Sequence, residues 1–494
     1  MSTSALLFAV KRSKLPLPPG PRKLPIVGNL FDVPETLQWE TYARWSKEYN
    51  SSIIHLDLAG KSMIVINSRD AAESLLEKRS SIYSDREDFP MVNDLTGWDF
   101  VFGDEWRIQR RLFEQSFSVN ASSKLEPQQC LASGDLLKWM LSDPEDCIEH
   151  FKQMTGEFVM SLAYGIDVQP SNDPYVTLAH DAIGTLGIAA IPGRYLVDSF
   201  PILKHVPSWF PGAGFKWQAH EWRKLARGMM ELPFAETKRQ MELGIARSSF
   251  TSDNLDVLKD ADAGQAFFQE RHVVSTAGTM YVGATHTTVS TLATFILAML
   301  ASPEAQKKAQ LEIDAVTGGE ALPTFQDRDS LPYISAIVKE VLRWKNAAPF
   351  AVPHRLTVED EYLGYRLPAG SIVIGNAWAL LHDESVYPDP HAFKPERFLL
   401  SGQLNPAIPD PEAAFGFGRR MCPGRHAATS SIWIAVAYML ATFDIQKAVD
   451  SDGQIIEPTY EYVSGLVNTP VPFKCSIKPR SPQAIALIRA SGSQ

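Results

Sequence analysis

From Ser51 to Asn67, SSIIHLDLAGKSMIVIN sets two β-branched apolar runs on either side of Ala59, Gly60 and Lys61, and that pattern with that turn chemistry predicts a β-hairpin. Farther along, the apolar period lengthens. HVVSTAGTMYVGATHTTVSTLATFILAML is too long and too apolar for a strand, so a helix is predicted from about Gly264 to Leu300. SPEAQKKAQLEIDAV predicts another, with Ser302 as its cap and Pro303 in the first turn. Short strand-like runs return between Tyr362 and Ile374 around Gly364 and Gly370. The sum is a mainly α chain with a small β part.

The N-terminal pattern differs from the rest. SALLFAV is apolar for only seven residues before KRSK, far short of the ~20 residues that span a bilayer. LPLPPGPRKLPIVGNL follows, and Pro16, Pro18, Pro19 and Pro21 forbid helix and favour a stiff extended hinge between a membrane and a domain. The expected organisation is a short tail and hinge over residues 1–31, then one catalytic domain over 32–494.

Composition narrows the function classes. With 45% hydrophobic residues, 10% aromatics and a net charge of -10, the chain has a large core to bury and is neither extended nor disordered. The acidic balance argues against a nucleic-acid partner. Four scattered cysteines, Cys130, Cys147, Cys422 and Cys475, build neither a disulfide framework nor a zinc site and point to a reducing compartment. One of them stands apart: Cys422 lies in FGFGRRMCPGR, among tight-turn residues and permanent positive charge, a setting for a thiolate.

Phe415, Gly418, Arg420, Cys422 and Gly424 make the pattern FxxGxRxCxG, which resembles the haem-binding loop of the cytochrome P450 family. The resemblance implies an α-rich haem domain with a small β subdomain, haem b as cofactor and Cys422 as its axial thiolate, a ligand that favours O–O cleavage. Gly418 and Gly424 would let backbone N–H groups approach the sulfur. Arg420 would pair with a haem propionate, and Phe415 would cover the proximal face. KEVLRW puts Glu340 and Arg343 on one helix face. By resemblance Arg397 of KPERF completes a buried network with them. DEWRIQRRLF places Trp106 and Arg110 four apart, and VPHRL supplies His354; the family assigns all three to propionates. Exposed Arg107, Arg111 and Arg419 would form either a basic surface for an acidic redox partner or a merely solvated face.

The predicted distal helix departs from the family pattern. Where members of the family carry an acid followed by threonine, this sequence reads GATHTT from Gly283 to Thr288: Ala284 belongs to the small pair, Thr287 is the alcohol, and His286 stands at the acid. A relay through His286 would titrate at ~6 to 7, with charge logic opposite to a carboxylate's; a locally packed histidine is the other reading. Phe89, Met91, Leu95, Trp98, Phe100, Ala284, Phe350, Val352 and Leu466 are the expected lining of an apolar, aromatic substrate pocket. SFPILKHVPSWFPGAGF is either an interfacial segment or a packed loop.

The hinge and PHRLTVEDEYLGYRLPAG resemble microsomal members, closest to those of fungal secondary metabolism. By that resemblance the chain is a monomeric monooxygenase, peripheral on the cytoplasmic face of the endoplasmic reticulum. It would take NADPH electrons from a diflavin reductase to oxidise a lipophilic small molecule. A haem-thiolate isomerase, dehydratase or peroxygenase that does not activate O2 is the alternative His286 motivates. A non-catalytic haem carrier requires neither a distal alcohol nor an aromatic pocket.

Overall fold

A computed structural model describes residues 14–98, 103–169, 172–191, 194–260 and 262–492. The hairpin forms as expected, β1 (Ile53–Leu58) antiparallel to β2 (Lys61–Ile66), with Ala59 and Gly60 turning at φ 51° and 92°. Two later strands, β3 (His354–Arg355) and β4 (Ile372–Gly375), complete a sheet of order β1-β2-β4-β3, in which β4 runs parallel to β2. Gly364, at φ 78°, turns a separate small hairpin, Asp360–Tyr362 against Tyr365–Leu367.

Eight of the helices position the site: α1 (Gly103–Phe117), α2 (Glu126–Ser142), α3 (Cys147–Tyr164), α4 (Pro174–Ala189), α5 (Gly214–Glu242), α6 (Ala263–Ala301), α7 (Pro332–Trp344) and α8 (Arg425–Thr442). The long predicted helix is α6. It starts where the Asp262 carboxylate accepts from the N–H groups of Gly264 and Gln265, and it stops before Pro303. By length and composition α6 passes for a membrane span, yet 78% of its apolar window is buried inside the protein. It is the central core helix. The next helix, Pro303–Thr317, begins at Ser302 as expected, but the serine side chain makes no capping bond.

Two apolar cores meet along α6. The N-terminal half packs with α3, α4 and α5 through Val273, Ala277, Met280 and Tyr281. The C-terminal half packs with α2, α7 and α8 from Val289 through Leu300. The stretch from Gly283 to Thr288 falls at the junction, where partial exposure of Gly283, Ala284 and Thr287 leaves room above the helix surface.

The proline-rich hinge is no free linker. Gly20 lies against β1, where an added β-carbon would sit 2.0 Å from the His55 carbonyl oxygen; the His55 N–H donates to Pro19, and the Asn29 N–H to Asp57. Backbone pairing with β1 ties the segment to the domain. The SALLFAV tail lies outside the described residues.

Candidate active site

The cysteine loop is built from two 3-10 turns, Glu412–Phe415 and Gly418–Arg420, and closes where the Cys422 N–H donates to the Phe415 carbonyl at 2.8 Å. Helix α8 begins directly after it. The N–H of Gly424 donates to the Cys422 sulfur, and a β-carbon at 424 would lie 4.0 Å from it, so that bond does not itself require glycine. Gly418, by contrast, is needed. At φ 53° its missing β-carbon would stand 2.1 Å from the Leu76 carbonyl oxygen, so the loop rests directly on backbone there. The ring of Phe415 packs on the edge of the C-terminal core.

Burial pushes the Cys422 thiol up, against the lowering effect of the Gly424 N–H, Arg110 and Arg425. The flanking charge alone therefore does not make a thiolate; a metal ion that displaces the proton does. The other cysteines are free thiols engaged elsewhere: Cys130 hydrogen-bonds Tyr438, and Cys147 and Cys475 hydrogen-bond each other.

Above the loop lies a cluster of cations. The Arg420 guanidinium sits 3.9 Å from the Trp106 ring centroid and donates from Nε to the Ser84 carbonyl at 2.8 Å. Arg86 donates to the carbonyls of Val352 and Pro353. His354, carried on β3, donates from Nδ1 to the Tyr83 carbonyl at 2.7 Å. Burial and the like charge of Arg420 push Arg86 down to about 9, and burial takes Arg420 to about 10, with Asp85 opposing. Burial, Arg86 and Arg420 together hold His354 well below its ordinary range. This is a pocket short of negative charge.

Arg110 points elsewhere. Its Nη1 donates to the Met421 carbonyl at 2.6 Å and its Nε to Glu114 at 3.0 Å, which fastens α1 to the cysteine loop. Trp106 and Arg110 share the face that their spacing predicts, but Trp106 supports Arg420 while Arg110 braces the loop. Arg86 was missed by sequence reasoning. It sits in SDREDFP, where three neighbouring acids hide a cation that the fold turns inward.

Beneath the loop the Glu340 network is complete. Arg343 donates to both Glu340 oxygens at 2.7 and 2.9 Å, and Arg397 donates from Nε at 3.1 Å. The Lys394 N–H adds a bond at 2.8 Å, while the remaining guanidinium donors reach the carbonyls of Leu381, Pro388, Asp389 and Ala392. Glu340 and Arg343 are fully buried, so only this saturation makes their charges tolerable.

On α6, a β-carbon at Gly283 would meet nothing, and the Thr287 hydroxyl donates to the Gly283 carbonyl at 2.7 Å. Its oxygen lone pairs remain available. His286 turns from that open face toward α4, where its ring lies 4.9 Å from that of His180. Burial, His180 and Lys152 push it down to about 4, not the near-neutral range expected from the residue type.

A family model described as Cytochrome P450 matches residues 18–477. The chain belongs to the cytochrome P450 family. Among its relatives, cytochrome P450 monooxygenase 98 of Postia placenta is 45% identical over 97% of this chain and 93% of the relative. Cytochrome P450 monooxygenase ple1 of Rhodocybe pseudopiperita is 42% identical over 97% and 92%, and tryptamine 4-monooxygenase of Psilocybe cyanescens is 40% identical over 96% and 95%. The protein is thus a P450 enzyme, an oxidoreductase of the monooxygenase type with haem as the cofactor its family implies.

The residues present fit haem b. Cys422 would supply the thiolate, and Arg86 and Arg420, half-buried cations donating to carbonyls, would meet the haem propionates. His354 is the exception among the donors. Its neutral ring has one N–H, already given to Tyr83, so it serves a propionate only when a bound anion raises its pKa and protonates it.

The expected pocket residues fall in several places. Met91 and Trp98 are 0% and 1% exposed, packed in the N-terminal core with no surface left for substrate. Phe89 and Leu95 lean on the same core. Phe350 packs edge-on to Trp39 at 5.5 Å and beside Tyr42 at 5.7 Å, against the sheet core. Val352 is exposed beside Arg86, and Ala284 and Leu466 are partly exposed. Phe100 lies outside the described residues.

Proposed function

We propose that this P450 binds haem b through Cys422 and hydroxylates a C–H bond of a lipophilic small molecule in fungal secondary metabolism. A separate diflavin reductase delivers electrons from NADPH. The reaction balances as substrate, O2, NADPH and one proton giving alcohol, water and NADP+. The haem, when bound, supplies the redox chemistry that divides O2 between product and water.

The protein's own residues do the rest. Gly424 and Arg110 hold the sulfur and its loop, and Arg86, Arg420 and Trp106 fix the carboxylate edge. Gly283 and Ala284 leave space for O2, and Thr287 holds a proton-carrying water on its free lone pairs. The observation that carries this reading is the set of cations built onto the cysteine loop, Arg420 against Trp106 with Arg86 beside it; α6 separately bears an alcohol, Thr287, beside open space at Gly283. That alcohol also weighs against the reading without O2 activation.

Arg107, Arg111 and Arg419 are exposed on the proximal side and suit an acidic reductase, though Glu77 and Glu412 beside Arg419 make the face mixed in charge. Ile202, Trp209 and Trp217 are 74%, 79% and 63% exposed, and Ile26 is 95% exposed. Such an apolar set supports a peripheral seat on the cytoplasmic face of the endoplasmic reticulum. The test is NADPH consumption by holoenzyme plus reductase with a panel of lipophilic metabolites, including tryptamine because one relative bears that name. Substrate-dependent consumption with labelled O2 entering product supports the reading; turnover with peroxide alone and none with NADPH overturns it.

A further inference from the structure

Cys147 and Cys475 come from distant parts of the chain and meet at one point away from the haem loop. Cys147 opens α3 directly after its cap, Asp146, and is 3% exposed; Cys475 opens the strand Cys475–Pro479 and is half-buried. Both are free thiols, and their sulfurs share a hydrogen bond in which Cys147 donates and Cys475 accepts. Both side chains also pack on the C-terminal core.

The strand Cys475–Pro479 pairs antiparallel with Phe443–Lys447 in a sheet of two strands, Pro479 opposite Phe443 and Cys475 opposite Lys447. The Phe443 end is fastened to the helix Pro303–Thr317. Gln306 exchanges bonds with the Ile445 N–H and carbonyl at 2.8 and 3.0 Å, and Gln310 donates to the Phe443 carbonyl at 3.1 Å. The Arg480 N–H adds a bond to the Thr442 carbonyl at 2.9 Å. The Cys475 end meets α3 through the two sulfurs.

We propose that Cys147 and Cys475 are an oxidisable dithiol, which hydrogen peroxide or another hydroperoxide closes to a disulfide that staples this end of the strand pair to α3. The hydrogen bond already sets the sulfurs in contact, so side-chain rotation suffices to bring them to bonding distance. The two thiols are unequal. Donation from Cys147 lowers the Cys475 thiol below its ordinary value, against burial, whereas the bond to Cys475, burial and Asp146 push Cys147 well above. Cys475 is therefore the nucleophile, and it is also the more exposed of the two. Its thiolate attacks one peroxide oxygen, the O–O bond breaks and hydroxide leaves, which makes a sulfenic acid. The Cys147 sulfur then attacks the Cys475 sulfur, and the hydroxyl departs as water with the proton from Cys147. In sum, two thiols and one peroxide give one disulfide and two waters: the sulfurs lose two electrons and the peroxide gains them. Peroxide from any source serves, so the inference stands apart from the monooxygenase reading. Cys130, bonded to Tyr438 and not to a second thiol, is the internal control.

The test is thiol mapping of the holoprotein. It is treated with hydrogen peroxide in small molar excess, the remaining thiols are alkylated, and the peptides are identified by mass spectrometry. A cross-linked Cys147–Cys475 peptide that dithiothreitol separates is expected, with Cys130 still alkylated. The single variants should differ: Cys147→Ser leaves a Cys475 sulfenic acid that dimedone traps, and Cys475→Ser leaves Cys147 unreacted. Peroxide should raise the thermal midpoint of the wild type by several degrees and that of neither single variant. Thiols alkylated as fully after peroxide as before, or Cys147 oxidised as readily as Cys475 in the single variants, overturns the dithiol and leaves a packing pair. A cross-link that forms without a rise in the midpoint overturns the staple.

Discussion

The Arg420 guanidinium lies 3.9 Å from the Trp106 ring centroid, so a residue on α1 holds in place a cation supplied by the cysteine loop. The contact joins the two halves of the haem site. A desolvated cation–π pair of this kind contributes about 1–2 kcal/mol. Trp106→Ala should therefore weaken haem retention by roughly 5- to 30-fold, measured as the rate of haem transfer to an apo-acceptor. Trp106→Phe should recover part of that loss. Equal retention in all three proteins would show that Arg420 is held by Ser84 alone.

Removing Glu340 leaves Arg343 and Arg397 facing each other in a buried site with no counter-charge. Breaking a buried pair in this way costs about 3–5 kcal/mol, a large part of a domain's ~5–15 kcal/mol of stability. Glu340→Ala should accumulate as unfolded or haem-free protein. Thermal denaturation of any soluble fraction checks this, and a midpoint near wild type would contradict it.

Two glycines of one motif should respond oppositely. Gly418→Ala places a β-carbon against the Leu76 carbonyl and adds left-handed strain of about 1–2 kcal/mol, so it should lower haem content sharply. Gly424 has φ -84° and 4.0 Å of room, so Gly424→Ala should bind haem almost normally. Pyridine haemochrome content of the two purified variants is the measurement.

His286 has a pKa of 6.5 when unfolded and about 4 when folded, lowered chiefly by burial. Between those values the unfolded chain binds the proton that the folded protein refuses, so stability rises with pH through that window and levels off above it. His286→Gln should flatten the rise seen in denaturant titrations from pH 4 to 6.5. In the wild type, the coupling of NADPH to product should be flat between pH 6 and 7 as far as His286 is concerned, since the ring stays neutral there.

Much of this site was legible because its chemistry is local. Cys422, Gly424 and Phe415 lie within one turn-rich stretch, and helical spacing puts Glu340 and Arg343 on one face, though only the resemblance to the family gave them Arg397 as a buried partner. The central helix was readable because its apolar length leaves no other element. What escaped depends on chain segments brought together from far apart. Arg86 looks solvated among its acidic neighbours until β3 delivers His354 beside it. Phe350 looks like pocket lining until the helix Gln38–Glu48 places Trp39 and Tyr42 against it. Met91 and Trp98 have the same apolar character whether they face substrate or core, and only the packing of α4 and α5 decides. For His286 the departure from the family pattern was visible, but its partner was not, since His180 lies on another helix with no motif to mark it.

The central claim is that Cys422 alone ligates haem iron. The most direct test is the reduced carbonyl spectrum of wild type, Cys422→Ser and the triple variant Cys130→Ser, Cys147→Ser, Cys475→Ser. The red-shifted Soret band that a thiolate ligand produces should be present in the wild type, kept in the triple variant and lost in Cys422→Ser. Its persistence in Cys422→Ser, or its loss in a folded triple variant, would contradict the account.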